Sequence, residues 1–210
     1  MAGPNGAYWI GAAVSLAWLS HFGPQKVRES YGGFNKLPLV HQTHIVLASI
    51  TLVSCLANHL LVWCTSGRLA RRSHAFFGWL AGMSSILGVV EGTRLVLSIA
   101  SGVDDETLRS IAPGLAALSI AGAVQVFNTL QGIKHIRQAK QSKSGNERKR
   151  LVRMHQINMV WLHYAACLGP AWSRLPVWLG LIDPSDLSKA MFFSFLPPFI
   201  LIPWALKQRR

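Results

Sequence analysis

Long apolar stretches alternate with short polar connectors along the whole chain. A helix needs roughly 20 apolar residues to cross roughly 30 Å of hydrocarbon, and four of the stretches reach that length. Two more are marginal, because the first is short and the last contains Pro197, Pro198 and Pro203, which remove backbone hydrogen-bond donors. The pattern predicts six membrane spans, at residues 7–22, 39–64, 75–100, 111–133, 151–180 and 191–206.

The composition is typical of a protein that lies in lipid. Half of the 210 residues are hydrophobic and 14% are charged, whereas ordinary soluble domains contain about 25% charged residues. We therefore expect an all-α, polytopic membrane helix bundle of about six transmembrane helices, folded as a single domain over residues 1–210. Its four-helix core should cover residues 39–180. The basic segment 134–153 should be a flexible loop between two spans rather than a folded unit.

The charges of the connectors predict the orientation of the helices. Fourteen of the 21 Lys and Arg residues lie in segments 65–74, 134–153 and 207–210, which fall on one side of the membrane, and five lie in the opposite connectors. Positively charged connectors stay on the cytoplasmic side, or in the matrix or stroma of an organelle. Both termini are therefore predicted to lie there. The net charge of +13 arises mostly from the connectors on this one side of the membrane. We therefore expect membrane lipids as partners and no nucleic acid.

Polar residues inside the predicted spans indicate where a functional site lies, because such groups usually face the bundle interior. At 100° per residue, Gln125, Asn128 and His135 lie on one face of the fourth span. His163 lies roughly two turns deeper than His155, about level with Asn128. Histidines from four spans lie within about a turn of the cytoplasmic span ends: His59, His74, His135 and His155.

These histidines suggest a site for a cofactor. A transmembrane haem b needs two neutral imidazoles from different helices that face each other at one depth. The alternative is that each histidine is interfacial, with its ring in the lipid and its polar tip among the headgroups. A site for Fe or Zn has less support, because no cysteine or carboxylate lies at this depth. Five histidines form the candidate pool of haem ligands: His59, His74, His135, His155 and His163.

The three cysteines have no metal-like spacing. Cys55, Cys64 and Cys167 all fall within predicted spans. A free cysteine in such a position behaves as a small apolar residue. We expect them to pack in the bundle and to form no disulfide framework.

A second polar group lies toward the outer ends of the spans. Glu91 is about two turns from the end of the third span, where a carboxylate must be paired or protonated. Arg94 follows three residues later on nearly the same face and is the obvious partner in a local ion pair. The alternative is an outward-facing site in which Glu91 and Arg94 join His44 and Arg174. Such a site would suit a proton, an anionic substrate or a haem propionate.

Three predicted helices open with a histidine motif: Thr43-His44-Ile45-Val46, Ser73-His74-Ala75-Phe76-Phe77-Gly78 and His155-Gln156-Ile157-Asn158-Met159. These motifs resemble those of a family of multi-helix membrane proteins known chiefly as a domain of unknown function. The resemblance extends from Thr43 to Arg174, which falls near the arginine that closes the family's last helix. The chain differs at Gln156 and Asn158, where the family usually has arginine and tryptophan, and it lacks a Gly-Pro near position 57.

The resemblance implies a four-helix core in which His44, His74 and His155 are the positions of functional interest. It implies no established activity. Transmembrane b-type cytochromes with six helices are similar more distantly, through helix number and histidine content alone.

Three functional hypotheses follow. In the first, the protein binds haem b and passes electrons within or across the membrane. In the second, it is a non-catalytic accessory or assembly subunit of a larger membrane complex. In the third, it is a small transporter with Glu91 as the proton-coupled residue. The sequence contains neither a phosphate-binding glycine loop nor a nucleophilic serine motif, and it leaves open whether the protein is an enzyme.

Overall fold

The chain folds into an all-α bundle, as the alternation of apolar stretches predicts. The structure is a computed structural model that describes residues 6–64 and 67–182, and this part contains no strand. A π-helical turn, Trp18–Phe22, joins the first two helices, and a 3₁₀ turn, Phe34–Lys36, precedes the third. The α-helices are α1 Gly6–Ala17, α2 Gly23–Tyr31, α3 Leu39–Cys64, α4 Arg68–Gly102, α5 Asp105–Gln141 and α6 Gly145–Trp178.

Among the residues that the structure describes, three helices are long and apolar enough to cross a membrane. They are Leu39–Leu61 of α3, Ala70–Gly102 of α4 and Asp105–Gln141 of α5. The predicted first span corresponds to α1 with its π-helical turn, and the predicted fifth span corresponds to most of α6. The predicted last span, residues 191–206, lies outside the described residues.

Two antiparallel hairpins, α3–α4 and α5–α6, form the body of the bundle. Helix α4 also packs on α5, and α6 packs on both α3 and α1. Within the first hairpin the hydroxyls of Thr51 and Ser84 lie 2.8 Å apart, and both side chains are buried. Between the hairpins Gln125 donates to the Ser85 hydroxyl over 2.7 Å. These interhelical hydrogen bonds satisfy polar groups that would be costly to leave alone in lipid.

The buried core lies where α1, α3, α4 and α6 meet. Cys55 is completely buried there and packs as a small apolar residue, as predicted, whereas the side chains of Cys64 and Cys167 lie outside the described residues. Large apolar side chains on the outer faces are exposed, among them Phe76, Leu97 and Phe127. An exposed apolar surface of this kind suits contact with lipid tails rather than with water. The core cluster consists of Ala12, Leu52, Cys55, Leu56, Ala81, Val160, Leu162 and Tyr164.

The basic segment 134–153 differs from the flexible loop that we predicted. Helix α5 continues to Gln141 and α6 begins at Gly145, so only residues 142–144 are non-helical. Lys, Arg, Gln and Ala are good helix formers, and a helix that leaves the hydrocarbon does not have to end at its boundary. The Ser142 hydroxyl closes the turn by donating to Glu147 over 2.8 Å. All of the basic residues of this segment except Lys143 are therefore carried on two helix ends.

Candidate functional site

His59 and His163 meet in the bundle interior, where α3 faces α6. Their ring centroids are 6.5 Å apart, and the ring planes are inclined by 61°. Trp9 of α1 lies against the His59 ring, and the centroids of these two rings are 5.6 Å apart. Trp9 and Met159 also pack on the buried core cluster. The two imidazoles therefore come from different helices and lie in largely apolar surroundings.

A backbone hydrogen bond sets the orientation of the His163 ring. Its Nδ1 lies 2.7 Å from the carbonyl oxygen of Met159, one turn earlier in α6. Because a carbonyl oxygen only accepts, Nδ1 carries the hydrogen, and the lone pair of the neutral ring lies on Nε2. Histidines that bind metals are commonly oriented in this way by a backbone carbonyl. The His163 ring thus has the tautomer of a ligand that coordinates through Nε2.

A second histidine group joins α4, α5 and α6. His155 donates from Nδ1 to the carbonyl oxygen of Gly132 over 2.8 Å, and His135 accepts at Nδ1 from the Asn158 amide over 3.2 Å. A positive charge on His74 or on His135 would repel a positive charge on His155, so the three rings interact electrostatically through His155. The Nδ1 atom of His74 is buried and has no hydrogen-bond partner among the described residues. We call these three residues the histidine triplet.

A close approach of α5 and α6 brings the triplet together. Gly132 lies directly against α6, where an added Cβ would overlap the terminal methyl of Met159 and crowd Asn158. Asn158 is buried and donates both to His135 and to the Met154 carbonyl. The absence of a side chain at Gly132 therefore allows His155 to reach a backbone carbonyl on the neighbouring helix.

The structure divides the predicted ligand pool into two groups. We expected His59, His74, His135 and His155 at one depth and His163 about two turns deeper. Three of the four come together as the triplet, but His59 pairs with His163 instead. Sequence position gives the depth of a residue in a straight helix and does not give helix tilt or the direction of the side chain.

The described residues contain no group of three or more His, Cys, Asp or Glu side chains that could hold a metal ion. This applies to the triplet as well, although three imidazoles are close together there. A haem needs fewer protein ligands than such a metal site. The porphyrin supplies four nitrogen ligands, so two imidazoles from the protein are enough.

The outer polar residues form a local contact. Arg94 donates to both carboxylate oxygens of Glu91 over 2.9 and 3.2 Å, and its side chain is 66% exposed against 17% for Glu91. His44 lies one helix away, with Nδ1 3.2 Å from the Gly88 carbonyl oxygen and the ring against Gly92. Arg174 belongs to α6, but its side chain lies outside the described residues. The predicted Glu91–Arg94 ion pair is therefore present.

Two contributions to these sites were missed from the sequence. Trp9 stands in the marginal first span, and nothing in its spacing links it to His59. Asn158 stands out in the sequence only as a departure from a family motif. In the structure its amide is buried and donates to His135, and its position one turn from His155 is a signal that could have been used.

The comparisons with known proteins return no relative. No protein-family model, no curated protein and no solved structure matches this chain. The resemblance to the membrane family with histidine-opened helices therefore stays a prediction.

Proposed function

We propose that this protein is an integral membrane electron carrier that binds haem b through His59 and His163. The observation that carries the proposal is the approach of these two imidazoles, from α3 and α6, in apolar surroundings. The proposal includes six spans around a four-helix core, with both termini on the cytoplasmic side or its equivalent in an organelle.

The separation of the two rings is compatible with coordination of one iron. Imidazole nitrogens lie roughly 2.0–2.1 Å from a bound metal ion, so two rings on opposite sides of one ion have centroids about 6 Å apart. The observed centroid separation is 6.5 Å.

The donor set fits a haem that cycles between ferric and ferrous iron. His59 and His163 would hold the haem iron as neutral imidazoles, a ligand type found in haem proteins that transfer electrons. The Met159 carbonyl fixes the His163 ring and makes the ligating nitrogen more basic. When bound, the haem would supply one-electron redox chemistry, while His59 and His163 would hold it in the apolar surroundings that Trp9 and Met159 help to form.

The test is an absorbance spectrum of purified protein in mild detergent, first oxidised and then reduced with dithionite. We expect a Soret peak with sharp α and β bands in the reduced form, and loss of these bands in H59A and in H163A. The matched control is H41A, because His41 lies in the first turn of α3 and far from His59 along the helix. H155A should also retain the spectrum, and loss of the bands in H155A with retention in H163A would assign the ligands to the triplet.

The accessory-subunit hypothesis is the alternative that the same experiment would favour. A featureless visible spectrum from folded protein, unchanged after addition of haemin, would end the electron-carrier proposal. The search would then move to partner subunits that are lost on solubilisation. The transporter hypothesis has less support, because the carboxylate of Glu91 is already engaged by Arg94 on its own helix.

A further inference from the structure

The lipid-facing surface of α5 changes from apolar to basic along a single face. Phe127 and Leu130 are 61% and 53% exposed, and Lys134 and Arg137 follow at helical spacings of four and three residues. Residues at such spacings lie above one another on one side of a helix. An apolar stripe thus leads directly into two exposed cations.

Arg137 lies at the level where this surface passes from the lipid tails to the headgroups. Its guanidinium lies 5.5 Å from the ring centroid of Trp79 on α4, in a cation–π contact. Trp79 is itself 47% exposed, and tryptophan is enriched at the boundary between lipid tails and headgroups. Lys134 lies one turn closer to the apolar stripe, so its stem must run along the lipid tails while its ammonium reaches toward the headgroups.

The described residues provide no carboxylate to neutralise these two cations. The ion pair between Glu91 and Arg94 lies toward the other end of the bundle. Glu147 is the sole acidic residue in segment 134–153. It lines a separate groove at the α5–α6 turn, where it accepts a hydrogen bond from Ser142. Arg150 also lines that groove, but it shares the groove with the Glu147 carboxylate, whereas the surface around Lys134 and Arg137 has no carboxylate among the described residues and is better suited to an anion.

We propose that an anionic glycerophospholipid of the cytoplasmic-side leaflet binds at this position. Its phosphate lies between Lys134 and Arg137 beside Trp79, and an acyl chain follows the stripe of Leu130 and Phe127. The charge complementarity, the boundary tryptophan and the continuous apolar stripe together select a lipid over a soluble anion. This site is independent of the haem proposal, because it uses none of the histidines.

Binding is measured by calorimetry on protein purified in an uncharged detergent, with dioctanoyl phosphatidic acid as the probe. Dioctanoyl phosphatidylcholine and inorganic phosphate are titrated separately. We expect saturable binding of phosphatidic acid that weakens as salt is raised. K134Q/R137Q should weaken this binding about tenfold or more. The matched control K143Q/R148Q removes the same charge from exposed residues at the α5–α6 turn and should change binding less than about twofold.

A footprint on the unmodified chain keeps the test decisive if the double variant does not fold. Phosphatidic acid should protect Lys134 from acetylation, read by mass spectrometry, and should leave Lys143 reactive. Equal weakening in both double variants, or equal protection of both lysines, would mean diffuse attraction and overturn the site. Equal affinity for phosphatidylcholine would overturn the role of charge. Saturation by inorganic phosphate without binding of the lipid would overturn the lipid as ligand.

Discussion

The imidazole rings of His59 and His163 approach each other with centroids 6.5 Å apart, although the two residues belong to different helical hairpins. This contact therefore requires the two hairpins to be docked. A ligand held between the rings would therefore report on the assembled bundle and not on one hairpin. For this reason the pair is a more informative target for substitution than any single histidine.

A change of one axial ligand should shift the redox potential without removing the haem. In the proposed haem site, replacement of His59 by methionine would give His/Met coordination, which raises the reduction potential of a haem relative to His/His coordination. We expect H59M to keep a six-coordinate spectrum and to show a higher midpoint potential in a dithionite titration. H155M, which changes a residue of the triplet, should leave the potential unchanged. An unaltered potential in H59M would exclude His59 as a ligand.

The hydroxyl contact between Thr51 and Ser84 should contribute measurably to the packing of α3 on α4. The oxygens lie 2.8 Å apart, and both side chains are buried. Interhelical hydrogen bonds in membrane proteins contribute about 0.6 kcal/mol on average, with a maximum of about 1.7 kcal/mol. We expect T51V to lower the free energy of unfolding by an amount in that range.

The control for T51V is T43V, because the Thr43 hydroxyl donates to the Leu39 carbonyl within its own helix. It should have a smaller effect. A double-mutant cycle with S84A isolates the interaction from the loss of either hydroxyl alone. A coupling energy of zero would show that the contact does not stabilise the hairpin.

Gly122 should tolerate a methyl group only if Val89 is made smaller. A Cβ at this position would lie 2.9 Å from Val89 Cγ1, and a β-branched side chain has little freedom to move away. Overpacking typically lowers the free energy of unfolding by roughly 1–3 kcal/mol. This loss outweighs the gain of about 1 kcal/mol from replacing glycine by alanine in a helix. We expect G122A to be destabilised in thermal unfolding.

Two variants test the cause of that loss. G122A/V89A should recover part of the stability, because the shorter side chain makes room for the new methyl. G102A should be neutral or slightly stabilising, since a Cβ at Gly102 meets nothing within 4 Å. Destabilisation of G102A to the same extent would point to helix geometry rather than to the contact with Val89.

The sequence predicted the membrane helices better than their ends. The predicted span 39–64 coincides with α3, because Pro38 precedes it and its apolar residues end at Cys64. Helices α4 and α5 extend past both ends of their predicted spans, and α6 begins before its span, since hydropathy indicates where lipid contact ends and not where backbone hydrogen bonding ends. For this reason the sequence pattern predicts a loop over 134–153, although most of that segment is helical.

The candidate site was predictable as a set of residues but not as a set of contacts. The Glu91–Arg94 pair follows from a spacing of three on one helix and is present. The partners of His59 and His155 lie on other helices, so they depend on helix tilt and on how closely Gly132 lets α5 approach α6. Neither quantity can be obtained from the periodicity of a single chain.

Asp104 should stabilise the start of α5 in a manner that depends on pH. Its carboxylate accepts from the Thr107 backbone N–H over 2.8 Å and from the Thr107 hydroxyl over 2.9 Å. These hydrogen bonds, the backbone one first, hold the pKa of Asp104 below its usual value of 3.8. A lowered folded-state pKa means that the stabilisation is present above this usual value and is lost as the pH falls through the folded-state pKa.

The comparison of wild type with D104N isolates this carboxylate from all others. Asparagine also caps helices but carries no charge at any pH. At pH 7 we expect the wild type to unfold at a higher midpoint temperature than D104N. This difference in midpoint temperature should disappear as the pH is lowered below the pKa of Asp104. A difference that stays constant with pH would mean that the ionised carboxylate does not contribute.

The two turns that border α5 should lie on opposite sides of the membrane. Ser101 is exposed at the end of α4, and Lys143 is exposed between α5 and α6, so a helix of 37 residues separates the two positions. We expect S101C and K143C, each in a background without Cys55, Cys64 and Cys167, to react with a membrane-impermeant maleimide from opposite sides of sealed vesicles. Because positively charged connectors remain cytoplasmic, K143C should react from the cytoplasmic side. Reaction of both cysteines from the same side would mean that α5 does not cross the membrane.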